Sequence, residues 1–295
     1  MRLLSYGATA GARIGIAVGD ALVDLNEALV ALGLPAAPQD MTAFLALGPA
    51  AIRDAARAAA YAARPEQGAL RHALTDAVLL APVPRPGKIL GVGRNYADHA
   101  KEVGGPAQEM PRIFLKPSSA VAGPGHAVQI PPAVTKPDWE AELAVVIGRR
   151  AWQVRESEAL AYVSGYTVLD DVSAREFQFD VSPPQTSFAK GMDGFCPMGP
   201  WLVTPEEVGE PFNIGVRCWL NDELVQDGNT RDLIFPVPRL IAHLSRYMAL
   251  EPGDVIATGT PAGSGAFRTP PRWLRSGDRL RIEVDRVGVL THSVA

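Results

Sequence analysis

The sequence predicts an α+β fold, mostly β: a β-rich sandwich or roll preceded by a small N-terminal α/β domain. After residue 88, short runs rich in Val, Ile and Leu recur, and Gly and Pro separate them at short intervals, a pattern typical of proteins built from many short strands. Ala- and Leu-rich segments with helical spacing are concentrated in residues 26–64. Between the two parts, three prolines within residues 82–86 form a stiff connector. We therefore expect two domains, over residues 1–78 and 79–295.

The N-terminal part begins with short strand-like runs separated by glycine-containing turns. These runs lie at residues 3–6, 13–18 and 21–25. They predict a small antiparallel meander. Breaks near Gly33 and Gly48 then divide the Ala- and Leu-rich segment into three short helices, and residues 50–64 show the clearest helical spacing.

The chain after the connector opens with a predicted strand at residues 88–93 that ends in glycines. A dinucleotide-binding fingerprint is excluded, because Tyr96 stands at the third glycine position and no repeated βαβ pattern follows. Residues 237–248 form the clearest helix of this part. Further strands are predicted at residues 121–130, 143–147, 165–169, 201–203, 214–220, 255–258 and 279–284.

Composition excludes several classes of function. The net charge of −4 offers no basic surface for nucleic acid or anionic membranes. With only two cysteines, Cys196 and Cys218, a disulfide framework or a structural zinc site is not expected. We expect neither export nor membrane insertion, because the first residues show no long apolar run with a small-residue cleavage site and no window approaches the roughly 18 consecutive apolar residues of a membrane helix. We expect a cytoplasmic protein whose partner is a small molecule.

An E-x-E pair, Glu140 and Glu142, directly precedes a β-branched apolar run. Residues two apart in a strand face the same side, so the two carboxylates project together. Near a core, each would raise the pKa of the other unless a cation lay between them. All-oxygen ligands favour Mg²⁺ or Mn²⁺. The alternative is an ordinary solvated face of an edge strand.

His99 and Glu102 lie three residues apart in a segment flanked by glycines. On one helical turn the carboxylate would orient the imidazole as a general base, although this spacing is also common by chance. Gly104, Gly105 and Pro106 interrupt any longer helix here, and we expect residues 97–110 to form a mobile lid.

Three further groups are candidates for a site. Asp170 and Asp171 follow a predicted strand, where one of them is expected to cap a helix and Asp171 is also placed to add a third carboxylate. Lys190 lies between apolar residues, either buried against anions as an electrophilic donor or exposed at the surface. The Gly-rich turn at residues 258–265 is either a grip for a substrate carboxylate or only a tight loop.

In order along the chain, five motifs accompany these candidates. They are G-R-N-Y-x-x-H-x-x-E from Gly93, E-x-E from Glu140, D-V-S-A-R-E-x-Q from Asp171, K-x-x-D-x-F-x-P-x-G-P-W from Lys190 and T-G-T-P-x-G from Thr258. Together they resemble the fumarylacetoacetate hydrolase family over nearly the whole chain after the connector. The longer eukaryotic-type members place an additional acidic ligand where this chain has Asn95, so the resemblance favours the shorter bacterial branch of acylpyruvases and 2,4-diketo acid hydrolases.

The resemblance implies a mixed β-sandwich roll, a homodimer and a role for each candidate. Glu140, Glu142 and Asp171 would bind Mg²⁺ or Mn²⁺. His99 and Glu102 would form the base dyad on the lid, and Lys190 would be the cationic stabiliser. Substrate contacts are implied for Gln178 and Thr260 and, more loosely, for Lys116 and Arg94.

The chemistry that these parts predict is hydrolysis of an acylpyruvate-type 2,4-diketo acid to pyruvate and a carboxylic acid. The metal would stabilise the enolate that forms when the C–C bond breaks, and His99 would activate the attacking water. Two alternatives stay open on the same site: decarboxylation of oxaloacetate, or keto-enol isomerisation of an unsaturated diacid. A non-catalytic binding protein is the third alternative.

Overall fold

The computed structural model describes residues 1–8, 11–104 and 108–295. Gly105 and Pro106, part of the predicted lid, lie outside the described residues. The strands are β1 (Arg2–Tyr6), β2 (Arg13–Val18), β3 (Ala21–Asp24), β4 (His72–Ala73), β5 (Leu79–Leu80), β6 (Ile89–Gly93), β7 (Arg112–Lys116), β8 (Val121–Ala122), β9 (Ala127–Val128), β10 (Pro137–Asp138), β11 (Ala141–Ile147), β12 (Val163–Asp170), β13 (Ser173–Ala174), β14 (Cys196–Val203), β15 (Gly215–Leu220), β16 (Glu223–Asn229), β17 (Val255–Ala257), β18 (Arg279–Val284) and β19 (Gly288–Val294). The α-helices are α1 (Leu25–Ala31), α2 (Met41–Ala46), α3 (Pro49–Ala62), α4 (Ala97–Val103), α5 (Glu176–Phe179), α6 (Thr186–Ala189), α7 (Pro205–Val208) and α8 (Val237–Ser245). Short 3-10 helices cover Pro65–Leu70, Leu74–Asp76, Ser118–Ala120, Glu156–Tyr162, Thr230–Asp232 and Gly265–Phe267.

The N-terminal part forms the predicted meander and the predicted three helices. Strands β1, β2 and β3 pair in antiparallel succession. Helix α1 begins where Asp24 accepts a hydrogen bond from the backbone N–H of Glu27, and α2 begins where Asp40 caps Ala43 in the same way. Such side-chain caps satisfy backbone donors that a helix start leaves unpaired, so both boundaries follow from local sequence.

The meander does not stand apart from the rest of the chain. Strand β1 pairs antiparallel with β14, and the large sheet runs in the order β4-β3-β2-β1-β14-β12-β11-β17-β6-β7. Leu3 and Phe44 share one apolar cluster with Val146 and Met198 from beyond the connector. The division into domains at residue 78 stays a prediction, and the continuous sheet makes cooperative unfolding the expected behaviour.

Replacing Leu3 with Ala tests this expectation. Leu3 is completely buried beside Leu202, and truncating such a side chain typically lowers the free energy of unfolding by about 2–5 kcal/mol. All five tryptophans lie after residue 78, so tryptophan fluorescence in urea reports only on the second part. We expect Leu3→Ala to shift that transition and Leu47→Ala, at a side chain 55% exposed, to leave it in place. An unshifted transition in Leu3→Ala would show that residues 1–78 unfold independently.

A second sheet, in the order β16-β15-β18-β19-β9, faces the large one. The apolar cluster between them joins Val168 on β12 to Cys218, Ile282 and Leu290 on the second sheet. Strand β11 is buried along its whole length. These sheets, with helices around them, confirm the predicted α+β fold, and they bury β11 on both faces at the centre of the molecule.

Most predicted strands are present, although the one predicted at residues 121–130 forms only the two short strands β8 and β9. The longer strands β7, β16 and β19 and the two-residue strands β4, β5, β10 and β13 were not predicted. Helix α8 ends at Ser245, three residues before its predicted end. Within the described part of the chain, no helix combines the length and apolar character needed to cross a bilayer.

Candidate active site

Three carboxylates meet at the N-terminal end of β11. The register of β11 and β12 places Ala141 opposite Asp170, and the Asp171 N–H donates to the carbonyl oxygen of Glu140 at 2.9 Å. This pairing brings Asp171 next to Glu140 and Glu142. One carboxylate oxygen from each residue lies within 4.8 Å of the others, and all three residues are buried.

This cluster fits a hard divalent ion. Ligand oxygens on opposite sides of Mg²⁺ are about 4.2 Å apart, given its bond lengths of about 2.1 Å, so the observed separation requires only small side-chain movements. Burial, together with the charges of Asp171 and Glu140, raises the pKa of Glu142 well above its ordinary value. A cation in the cluster would remove that unfavourable charge interaction. The donor set therefore suits Mg²⁺ or Mn²⁺.

Gly259 holds Glu142 in place. Its N–H donates to Glu142 Oε2 at 2.8 Å. The backbone of Gly259 has φ of +105°, and a Cβ there would lie 2.8 Å from the Cβ of Asn95. Only glycine meets both demands, which explains the second position of the T-G-T-P motif.

Lys190 is buried against anions, one of the two environments predicted for it. Its Nζ lies 2.7 Å from Glu140 Oε2, 2.6 Å from Asp171 Oδ2 and 2.7 Å from Ser173 Oγ. Burial alone would raise the pKa of Glu140, but the charges of Lys190 and Arg175 outweigh it and hold that pKa below its ordinary value. An ammonium has three N–H donors, and the three contacts of Lys190 engage all of them, so that its charge is what it would offer to a bound molecule.

Lys116 lies behind the carboxylates. Its Nζ is 2.6 Å from Asp171 Oδ1, its side chain is completely buried, and it is not among the residues that line the cavity described below. This geometry favours a positioning role toward Asp171 over the predicted contact with substrate.

The sequence did not single out Arg175, although it stands in the D-V-S-A-R motif. Its Nη2 lies 2.7 Å from Glu140 Oε1, and its Nε donates to Asp138 Oδ2 at 2.8 Å. Asp138 also accepts from the backbone N–H groups of Gly265 and Ala266. The local sequence contained no clear signal for this role, because Arg175 lies between Ala174 and Glu176 and its partner Asp138 is distant in the sequence.

The predicted helical turn is α4, and His99 and Glu102 meet on it. His99 Nδ1 lies 2.9 Å from Glu102 Oε2, and the other oxygen of Glu102 accepts from the N–H of Gly263 at 3.0 Å. Since an ionised carboxylate only accepts, this contact assigns a hydrogen to Nδ1, and in the neutral imidazole Nε2 then carries the lone pair. The imidazole packs edge-on against Phe267, with ring centroids 5.6 Å apart.

His99, Glu140 and Lys190 face one cavity of about 250 Å³. Three of the predicted substrate contacts line it as well: Arg94, Gln178 and Thr260. Gln178 Oε1 accepts from Arg175, which leaves the NH₂ group to donate. The hydroxyl of Thr260 donates to the Ala141 carbonyl and accepts from the amide of Gln226, so toward a substrate it offers only its second lone pair. The remaining lining residues are Val92, Gly93, Val103, Arg112, Phe114, Arg175, Phe179, Pro184, Thr186 and Phe267.

The prediction that Asp170 or Asp171 caps a helix is wrong. Helix α5 begins at Glu176, with Arg175 at its N-cap position. Asp170 instead accepts from the backbone N–H of Glu140 at 2.9 Å and pairs with His292 Nε2 at 2.8 Å. The partner that decides its role is 122 residues away in the sequence.

Comparison with known proteins identifies relatives of this chain. Residues 88–295 match the model of the fumarylacetoacetate hydrolase C-terminal domain. Human mitochondrial oxaloacetate tautomerase FAHD2A is 40% identical, with 100% of this chain and 91% of that protein covered. Oxaloacetate tautomerase YisK of Bacillus subtilis is 39% identical, with 95% of each chain covered.

A solved structure adds a ligand-bound neighbour. Maleylpyruvate hydrolase from Sphingobium sp. SYK-6, in complex with manganese(II) and pyruvate, is 33% identical with a TM-score of 0.79. The match covers 100% of this chain and 99% of that one.

Proposed function

Since this chain belongs to the fumarylacetoacetate hydrolase family, we propose that it is a divalent-metal-dependent enzyme that interconverts the enol and keto forms of oxaloacetate. The family consists of enzymes, and curated relatives of nearly full length carry this activity in their names. The observation that carries the proposal is that one cavity is lined both by His99 and by Glu140, the member of the carboxylate cluster that faces it.

The inner end of the cavity suits the 1-carboxylate and 2-oxo group of such a substrate. Glu140, Glu142 and Asp171 would hold the ion, which supplies positive charge to the 2-oxo oxygen as negative charge develops there. Lys190 adds a buried positive charge at the same place. The NH₂ group of Gln178 would donate a hydrogen bond to the substrate.

His99 moves the proton. In the keto form, Nε2 of His99 removes a hydrogen from C3, and the electron pair of that C–H bond becomes the C2–C3 double bond. The imidazolium then gives a proton to the 2-oxo oxygen, which yields the enol and the neutral imidazole, and the reverse sequence gives the ketone. Glu102 fixes the tautomer and stabilises the imidazolium that forms. No C–C bond breaks.

Hydrolysis of an acylpyruvate is the second candidate. The same dyad would deprotonate a water instead of a C3 hydrogen, and maleylpyruvate hydrolase supports this alternative as a structural neighbour. Decarboxylation of oxaloacetate needs no base to begin, so the dyad favours it less.

The test follows three reactions with one preparation and Mg²⁺ or Mn²⁺. Loss of the ultraviolet absorbance of enol-oxaloacetate reports ketonisation, a lactate dehydrogenase couple reports pyruvate from oxaloacetate, and acetylpyruvate is assayed in parallel. We expect ketonisation to exceed the other two rates. Faster cleavage of acetylpyruvate would favour the hydrolase, and faster pyruvate release from oxaloacetate would favour the decarboxylase.

The homodimer is also a proposal. Leu115 and Phe188, 50% and 56% exposed, line a large cleft outside the cavity, and exposed apolar surface of this kind supports association between subunits. Light scattering after size exclusion would give the mass directly, with twice 31.4 kDa expected. The cytoplasmic location stays a prediction.

A further inference from the structure

The cavity has a buried inner end and an open outer end. Glu140, Lys190 and Thr260, at the inner end, are at most 6% exposed. Arg112 and Phe179, which line the same cavity, are exposed. A substrate therefore enters with one end toward the carboxylate cluster and leaves its other end near Arg112.

Strand pairing places a second arginine beside Arg112. Strands β6 and β7 are antiparallel, and Gly93 is the register partner of Arg112. Arg94 follows Gly93 with φ of +56°, a backbone conformation that costs free energy for a residue other than glycine. Both arginines therefore line the cavity, Arg112 from the start of β7 and Arg94 from just after the end of β6.

Neither guanidinium has an acidic partner among the described residues. Arg94 donates only to the Gly104 carbonyl oxygen, at 3.2 Å, and no ion pair includes Arg112. Arg175, at the inner end, is in contrast paired with both Asp138 and Glu140. Burial and the charge of Arg112 lower the pKa of Arg94. Two unpaired like charges in one cavity are unfavourable until an anion lies between them.

We propose that Arg94 and Arg112 bind the distal carboxylate of the substrate and thereby select short 2-oxo dicarboxylates over 2-oxo monocarboxylates. This inference rests on the proposed function and names the substrate class of that site. A guanidinium pairs with a carboxylate through two parallel N–H donors, and two such groups would hold the C4 carboxylate while C1 and C2 lie at the inner end.

The charges of the side chains that line the cavity support the selection of dicarboxylates. Its described lining contains four cationic side chains and a single carboxylate, Glu140. The two inner cations, Arg175 and Lys190, are neutralised by acids. The outer pair, Arg94 and Arg112, supplies two unbalanced positive charges, which favour the additional carboxylate that distinguishes oxaloacetate from pyruvate.

The experiment compares Arg112→Met and Arg94→Met with wild type, using oxaloacetate as substrate and oxalate as a competitive inhibitor. Oxalate offers the inner end two adjacent carboxyl groups but has no distal one. We expect each variant to raise KM for oxaloacetate about 10- to 100-fold, the loss of a hydrogen bond between charged groups, with kcat and the oxalate inhibition constant within twofold. Arg112→Lys, which keeps the charge without the planar fork, should give a smaller rise. Arg53→Met, at an exposed arginine on α3, is the matched control and should change nothing.

An unchanged KM in both variants would overturn the inference, as would an equal loss of oxalate affinity, which would place the damage at the inner end. Failure of the proposed function is a separate result. If wild type does not accelerate ketonisation, calorimetry of the Mg²⁺-loaded protein with oxaloacetate and with pyruvate still tests whether the arginine pair binds the distal carboxylate. Tighter binding of oxaloacetate that disappears in Arg112→Met supports the arginine pair, and equal affinities in wild type contradict it.

Discussion

Replacing Glu142 with Ala is expected to abolish metal-dependent turnover and to leave the protein folded. The carboxylate is a proposed ligand, and its loss should weaken Mn²⁺ binding by more than the 10- to 100-fold typical for loss of a group that only supports a ligand. The fold should survive, because the substitution also removes a buried charge that Asp171 and Glu140 disfavour. Calorimetric titration with Mn²⁺ and a thermal unfolding curve measure the two effects.

The matched control is Glu66→Ala, at an exposed acid in the N-terminal part, which should bind Mn²⁺ as wild type does. Unchanged Mn²⁺ affinity in Glu142→Ala would remove Glu142 from the ligand set. A lower affinity with an intact fold is the outcome that the carboxylate cluster predicts.

Replacing His99 with Ala is expected to lower the rate of ketonisation by about 10²–10⁴, the usual contribution of a positioned acid-base group. Metal affinity should change little, because His99 is not in the carboxylate cluster. Glu102→Gln should lower the rate in the same direction but by less, because the amide keeps an acceptor oxygen for His99 Nδ1 and loses the charge that stabilises the imidazolium.

His72→Ala is the control for this pair, since His72 lies in the N-terminal part with a side chain 56% exposed. Any decarboxylation of oxaloacetate should depend on His99 much less than ketonisation does. If both rates fell together, His99 would be acting on binding or structure, and its role as the proton carrier would have to be abandoned.

Local patterns explain why much of the fold could be predicted. The β-branched run after Glu142 is buried on both faces, and Leu143, Val145 and Ile147 belong to one apolar cluster while Ala144 and Val146 belong to the other. In the sequence this strand is an uninterrupted apolar run, as expected for a strand buried on both faces. Strand β16 was not predicted because its sequence is polar and it forms the edge of the second sheet.

The residues of the site also divide into those that the sequence could predict and those that it could not. The E-x-E pair and the His-x-x-Glu spacing are local, so the sequence places their members side by side. One of Asp170 and Asp171 was expected to cap a helix, because the partner of Asp170, His292, comes from a distant strand and could not be foreseen. Arg112 could not be connected with Arg94 without the antiparallel register of β6 and β7. Roles that depend on contacts between strands far apart in sequence need the fold.

Exchange of the C3 hydrogens of oxaloacetate with D₂O, followed by proton NMR, tests the central claim most directly. The site is proposed to move a proton at C3 only when a divalent ion is held by Glu140, Glu142 and Asp171. We predict that the protein accelerates exchange over buffer containing the same Mg²⁺, that a chelator abolishes the acceleration, and that the substrate keeps its four carbons. Exchange no faster than in the metal-containing buffer, or pyruvate appearing as fast as deuterium enters, would contradict it.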